Sequence, residues 1–78
     1  MKLFVGNLDF SVQEDELKAL FSAHGPVTKV KIVTDRNTGK PKGFAFLEYD
    51  DDVAAIKSMY DLNDAEFKGR KIQVREKE

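Results

Sequence analysis

The chain has 78 residues, no cysteine and a formal net charge of −1 at pH 7. This length fits one small domain with a modest core and leaves little room for the deep pocket of an enzyme. The lack of cysteine excludes disulfides and thiolate metal sites, and no apolar run approaches the roughly 18 residues of a membrane span. From the length we expect a single domain over residues 1–78. Because the charged start leads directly into an apolar stretch and not a signal peptide, we expect the protein inside the cell, in the cytoplasm or the nucleus.

The first predicted elements are a strand and a helix. Alternation of apolar residues predicts a strand over Lys2 to Gly6. A helix follows, from near Gln13 or Glu14 to Ala23, and its N-terminus has two candidate capping boxes, Ser11 with Glu14 or Gln13 with Glu16. Its apolar positions recur at helical spacing, at Leu17, Leu20 and Phe21.

Two further strands follow, joined by a turn over Asn37 to Lys40. The second strand spans Val27 to Thr34, with Val30 and Ile32 directed inward. The third strand contains two phenylalanines two positions apart, and its alternate positions are also apolar. A period of two therefore sends one set to each side of the sheet. The first set is Phe44 and Phe46, and the second is Ala45, Leu47 and Tyr49.

The last predicted elements are a helix from Asp51 to Leu62 and a strand from Lys71 to Arg75 that buries Ile72 and Val74. The acidic run before the helix, residues 50–52, suits its N-terminus, because carboxylates there accept from free backbone amides. We prefer this role to a metal site. The inward stripe of the helix is Ala55, Ser58, Met59 and Leu62.

A second apolar stripe adjoins the first on this helix and consists of Val53, Ile56 and Tyr60. Such a stripe is either a widened core face, covered by the nearby loop at Phe67, or a surface that docks weakly on another protein. The stripe should be partly exposed in either case, and we prefer the widened core face.

Strand, helix, strand, strand, helix, strand is the split βαβ order of ferredoxin-like folds. We therefore predict an α+β, ferredoxin-like β-α-β-β-α-β sandwich, with a four-stranded antiparallel sheet and two helices on one face. Four strands about 4.8 Å apart make a sheet roughly 19 Å wide, and two helices of about 10 Å diameter cover only one side of it. Phe4, Phe44 and Phe46 are then neighbours on the uncovered face, since right-handed crossovers place strands one and three side by side.

The third strand carries a resemblance to a known family. Residues 42–49 read Lys-Gly-Phe-Ala-Phe-Leu-Glu-Tyr and match the pattern K/R-G-F/Y-G/A-F-V-x-F/Y of the RNA recognition motif, with Leu47 as one mild departure. Leu3 to Leu8 resembles the shorter hexapeptide motif of that family, and Thr34 to Gly43 resembles its connecting loop. The resemblance covers essentially the whole chain and implies a module that binds single-stranded RNA by base stacking.

Charge is distributed in a way that suits such a ligand. Six basic residues and Glu48 fall on or beside the uncovered face for a net +5, while the other seven bases and thirteen acids give −6. At physiological salt the Debye length is about 8 Å, so the charges on one side of the sheet are largely screened from those on the other side. The six bases are Lys2, Lys29, Lys31, Lys42, Lys71 and Arg75.

The resemblance implies a role for several residues. Phe4 and Phe44 would stack on bases, Phe46 would pack against ribose and Lys42 would contact phosphate. Strand alternation also puts four further side chains on or beside the uncovered face, and on that ground alone we add them to the predicted RNA-binding residues. They are Lys31, Lys71, Gln73 and Arg75. Asn7 would order its loop.

Two other kinds of ligand stay open at this point. The same face suits single-stranded DNA, and some modules of this fold bind proteins, although those usually lack the exposed aromatic residues. We find no catalytic constellation, metal site or cofactor motif, and His24, the single histidine, lies at a helix end. We therefore expect neither an enzyme nor a cofactor.

Overall fold

Alternating apolar residues and two short amphipathic segments fold into a sheet with helices on one side. The computed structural model describes residues 1–77. The strands of the main sheet are β1 (Lys2–Gly6), β2 (Val27–Thr34), β3 (Pro41–Tyr49) and β6 (Gln73–Lys77). The helices are α1 (Glu14–Ser22) and α2 (Asp52–Leu62), and a short hairpin contains β4 (Glu66–Phe67) and β5 (Arg70–Lys71). In this part of the chain neither helix is long and apolar enough to cross a membrane.

The main sheet has the strand order β2-β3-β1-β6, and all of its pairs are antiparallel. The predicted ferredoxin-like fold is therefore confirmed. β1 and β3 lie side by side at the centre, with Phe4 opposite Phe46. On its other side Phe4 lies opposite Arg75 of β6.

The core lies between the sheet and the helices. Leu3 of β1 is fully buried, and Leu47 of β3 is 1% exposed. Tyr49 is also buried, and its hydroxyl donates a 2.6 Å hydrogen bond to the Phe21 carbonyl of α1, which ties the sheet to the helix layer. Burial raises the pKa of the Tyr49 hydroxyl, so it is held as a donor.

The helix N-termini use side-chain caps. The Glu16 carboxylate accepts from the Gln13 N–H at 3.1 Å, whereas Ser11 donates through its hydroxyl to Asp9. The second of the two candidate boxes therefore forms. At α2 the Asp51 carboxylate accepts from the Val53 N–H at 2.9 Å, which confirms the capping role of the acidic run.

The last strand is shorter at its start than predicted. Lys71 belongs to the hairpin, not to the main sheet, and β6 begins at Gln73. The physical reason lies at Ile72, whose N–H donates to Ala65 and whose carbonyl accepts from Asp64. These bonds to the preceding loop interrupt the strand, although Ile72 itself is buried as predicted.

The second stripe of α2 lies in solvent. Val53 is 73% exposed, Ile56 40% and Tyr60 78%. Phe67, which was expected to lie over this stripe, instead packs as a partly buried residue against the core. The widened-core interpretation is therefore wrong for Val53 and Tyr60.

Candidate nucleic-acid interface

Three phenylalanine rings form a cluster on the open face, the side of the sheet opposite the helices. The ring centroids of Phe4 and Phe44 are 5.6 Å apart, those of Phe4 and Phe46 5.8 Å, and those of Phe44 and Phe46 6.2 Å. Each ring therefore contacts the other two at distances typical of favourable aromatic pairs. We call these three rings the platform.

The backbone beside the platform is shaped by glycine. A Cβ atom at Gly6 would come within 2.9 Å of the Phe4 ring, so the ring can lie over β1 because that position has no side chain. Gly43 has a positive φ of 90°, a conformation that favours glycine, and its carbonyl accepts from the Leu8 N–H at 2.8 Å. This bond joins the start of β3 to the loop after β1.

Basic side chains flank the platform across the sheet. One cross-strand row contains Lys31, Phe46, Phe4 and Arg75, in the order of the four strands. The next row contains Lys29, Glu48, Lys2 and Lys77. The Lys77 ammonium also lies 5.5 Å from the centroid of the Phe46 ring, within the range of a cation–π contact.

Two shallow depressions lie on this face. The loop depression, about 530 Å³, lies between the platform and the loop that follows β1. It is lined by Phe4, Gly6, Asn7, Leu8, Phe10, Lys42, Gly43, Phe44, Arg70, Gln73 and Arg75. The lysine depression, about 190 Å³, lies at the other end of the sheet. It is lined by Lys2, Lys29, Lys31, Phe46, Leu47, Glu48 and Lys77.

Seven of the eight predicted site residues come together in these depressions. The exception is Lys71, which lines neither depression and pairs with Glu66 in the hairpin. Its predicted place on the last strand of the sheet is therefore wrong, because the interruption at Ile72 moves it out of the sheet. Gln73 stays at the edge, where its amide nitrogen donates to Asp64 at 2.9 Å.

Asn7 ties the loop after β1 to the hairpin. It has a positive φ of 57°, its side-chain nitrogen donates to the Lys71 carbonyl at 2.7 Å, and its side-chain oxygen accepts from Arg70 at 2.6 Å. Both ends of the amide are therefore engaged within the protein, as a loop-ordering role requires.

Sequence reasoning missed three residues on this surface. Phe10, 66% exposed, extends the aromatic surface into the loop, and Arg70 lines the same depression. Neither follows from strand periodicity, since both lie outside the main sheet. Lys77 is the third, and alternation from Gln73 through Arg75 could have found it.

Comparison with known proteins identifies the family. The family model described as the RNA recognition motif matches residues 3–73. Human cleavage stimulation factor subunit 2 is 47% identical over 72 residues, which are 92% of this chain and 12% of that protein. The chain thus spans about an eighth of the length of that relative. The Nostoc protein RbpE is 42% identical over 74 residues, which cover 95% of this chain and 75% of that protein.

Solved structures agree with the sequence comparisons. The crystal structure of RNA binding protein PG1 superposes with a TM-score of 0.96 at 42% identity, covering 99% of this chain and 93% of that chain. The structure of the Rna15 RRM with bound RNA (GU) superposes with a TM-score of 0.87 at 26% identity, covering 97% and 81%. With the family model matched over most of its length, this chain belongs to the RNA recognition motif family.

Proposed function

We propose that this chain is a module that binds short single-stranded RNA on its open face. The observation that carries the proposal is the platform, three rings 5.6 to 6.2 Å apart on a sheet face that no described helix covers. Grouped rings in water are unfavourable unless a ligand covers them. Flat rings accept unstacked bases whatever their identity, and neighbouring lysines follow the phosphates.

The individual roles are those that the family resemblance implies for these residues. Phe4 and Phe44 border the loop depression and stack on two bases, while Phe46 packs against ribose. Lys42 contacts phosphate at the rim of the same depression. The flanking contacts come from Lys31, Gln73 and Arg75, and Lys71 contributes to phosphate binding only from the neighbouring hairpin.

The loop depression extends the surface beyond the sheet. The exposed Phe10 ring offers a further stacking face, and Arg70 supplies a positive charge in the same depression. Asn7 holds this guanidinium at 2.6 Å, so the charge is in position before a ligand arrives.

The helix side supports a second, weaker contact. Val53, Ile56 and Tyr60 form an exposed apolar stripe on α2, and such a surface suits weak docking of a partly apolar protein segment. Such a partner would leave the open face free for RNA.

We place the protein as a binding module and not an enzyme, with residues 1–78 as one RNA recognition motif domain. Because the proposed ligand is RNA, we infer that the protein is located inside the cell, in the cytoplasm or the nucleus. Single-stranded DNA is the competing ligand for the same rings, since every base has a stacking face.

Titration of the protein with fluorescent RNA and DNA octamers of matched, randomised sequence tests this function. We expect saturable binding of RNA that is tighter than binding of DNA, because 2′-hydroxyls offer contacts that DNA lacks. Equal affinities would make the module a general single-strand binder. No binding of either nucleic acid at low salt would refute the proposal.

A further inference from the structure

One residue on the open face has the wrong charge for a phosphate ligand. Among the charged residues that line the two depressions, Glu48 is the single acid. It is half-buried and lies in the lysine depression between Lys29 on β2 and Lys2 on β1. A carboxylate in this place repels the backbone of any nucleic acid that passes over it.

Glu48 forms no ion pair with the lysines beside it among residues 1–77. Within residues 1–77, the ion pairs join the N-terminus to Asp52, His24 to Asp61 and Lys68 to Glu16. The Glu48 carboxylate takes part in none of them, and no other group within this described range donates a hydrogen bond to it. Its backbone carbonyl, by contrast, accepts from the Thr28 hydroxyl at 2.9 Å. Both carboxylate oxygens are therefore available to a ligand.

A ligand that covers this carboxylate must donate hydrogen bonds to it. Covering a charged acceptor without a hydrogen-bond partner carries a large desolvation penalty. A hydrogen bond to a charged group, in contrast, contributes more free energy than one between neutral groups. Glu48 lies two residues beyond Phe46 on the same strand face, about 7 Å further along β3. A nucleotide whose sugar packs on Phe46 therefore has its base edge within reach of Glu48.

The four bases differ in what they offer a carboxylate. Guanine presents two adjacent donors, N1–H and the N2 amino group, which match the two carboxylate oxygens. Adenine and cytosine each present one amino group beside an acceptor nitrogen. Uracil presents a single N–H between two carbonyl oxygens, and both of these oxygens repel the carboxylate. Guanine is thus the base that best satisfies Glu48.

We propose that Glu48 is a base-recognition residue that selects guanine at one position of the bound strand, in the lysine depression beside Phe46. This inference rests on the proposed binding of single-stranded nucleic acid. Lys2 and Lys29 then have a second role, since they hold the phosphates on either side of the selected nucleotide and offset the charge of the carboxylate.

The test compares four RNA octamers, oligouridine and three variants with one central guanine, adenine or cytosine, titrated by fluorescence anisotropy. The wild type should bind the guanine octamer roughly tenfold more tightly than oligouridine, the discrimination expected for one bidentate contact to a base. Glu48→Gln and Glu48→Ala should reduce this ratio to near one. Both variants should also bind oligouridine more tightly than the wild type, because a repulsive charge is gone.

Glu76→Gln is the matched control. Glu76 lies in β6 opposite Leu3, whose side chain points into the core, so Glu76 is on the other face of the sheet from Glu48. The Glu76→Gln substitution therefore removes the same charge away from the open face. This variant should keep the guanine preference. If Glu48→Gln strengthened binding of all four octamers by one common factor, Glu48 would act only through its charge and the inference would be overturned.

A wild type that binds all four octamers equally well would also overturn it, while leaving the proposed function intact. Failure to bind any octamer would instead refute the proposed function itself.

Discussion

Replacement of Phe44 by alanine separates binding from folding on the open face. The ring stacks on a base in the proposed complex, and loss of one such contact costs about 1 to 3 kcal/mol of binding free energy. This corresponds to a Kd roughly 5- to 150-fold weaker. We expect this loss in anisotropy titrations of a short RNA.

The stability cost of the same substitution should be small. Phe44 is half-buried and contacts Phe4 and Phe46 at centroid distances of 5.6 and 6.2 Å, contacts worth about 0.5 to 1.5 kcal/mol for an aromatic pair. Truncation on an open surface leaves no enclosed cavity, so we expect a fall of about 1 kcal/mol in urea denaturation. Leu47→Ala, on the covered face of the same strand and 1% exposed, should cost about 2 to 5 kcal/mol.

Tyr60→Ala is the control for the loss of an exposed ring. Tyr60 is 78% exposed on α2, on the opposite side of the sheet from the platform, so its removal should leave RNA affinity unchanged. Unchanged affinity in a folded Phe44→Ala protein would refute the stacking role. So would an equal loss of affinity in Tyr60→Ala.

Three further predictions concern salt, the helix side and pH. If three or four phosphates are neutralised, the slope of log K against log salt should be roughly −2 to −3, and a slope of zero would contradict the basic face. Ile56→Lys should lower the unfolding free energy by less than about 1 kcal/mol, because the side chain is already 40% exposed, and a fall in Tm of more than about 8 °C would restore the covered-core interpretation. The Lys68 ammonium, followed by the Gln13 N–H, holds the pKa of Glu16 below its usual value of 4.5. The stability that Glu16 contributes is therefore present above that pH and lost as pH falls through its folded pKa, so Glu16→Gln should show a shallower loss than the wild type below about pH 4.5 in urea denaturation.

Strand alternation was enough to predict the platform. The bounds of β1 and β2 match the predicted strands, and the antiparallel pairing of β1 with β3 places Phe4 beside Phe46 as expected. Periodicity succeeds here because each of these strands has one face against the helices, and a slip of one residue would turn its apolar set into solvent.

The hairpin could not be predicted in the same way. Its strands have two residues each, too short for any period, and its turn uses positive φ at Lys68 and Gly69. The interruption that moves Lys71 out of the sheet depends on backbone bonds from Ile72 to the loop before the hairpin. Residue type does not encode such bonds, so the error at Lys71 has a physical cause.

The α2 stripe shows a second limit of pattern analysis. Helical spacing places Val53, Ile56 and Tyr60 together, but their exposure depends on where the chain around Phe67 packs. That path is set by tertiary contacts, which helical spacing alone does not predict. The exposure of Phe10 could not be predicted for a related reason, since a loop residue belongs to no helical or strand periodicity.

The most direct test of the central claim is a backbone amide NMR titration with a short single-stranded RNA. Phe4, Phe44 and Phe46 lie on β1 and β3, so the shifts should concentrate at these strands, at the loop around Phe10 and at the edge residues Lys31 and Arg75. The exposed face of α2 should stay unchanged. Shifts confined to the helices, with the platform amides unmoved, would contradict RNA binding by stacking on the open face.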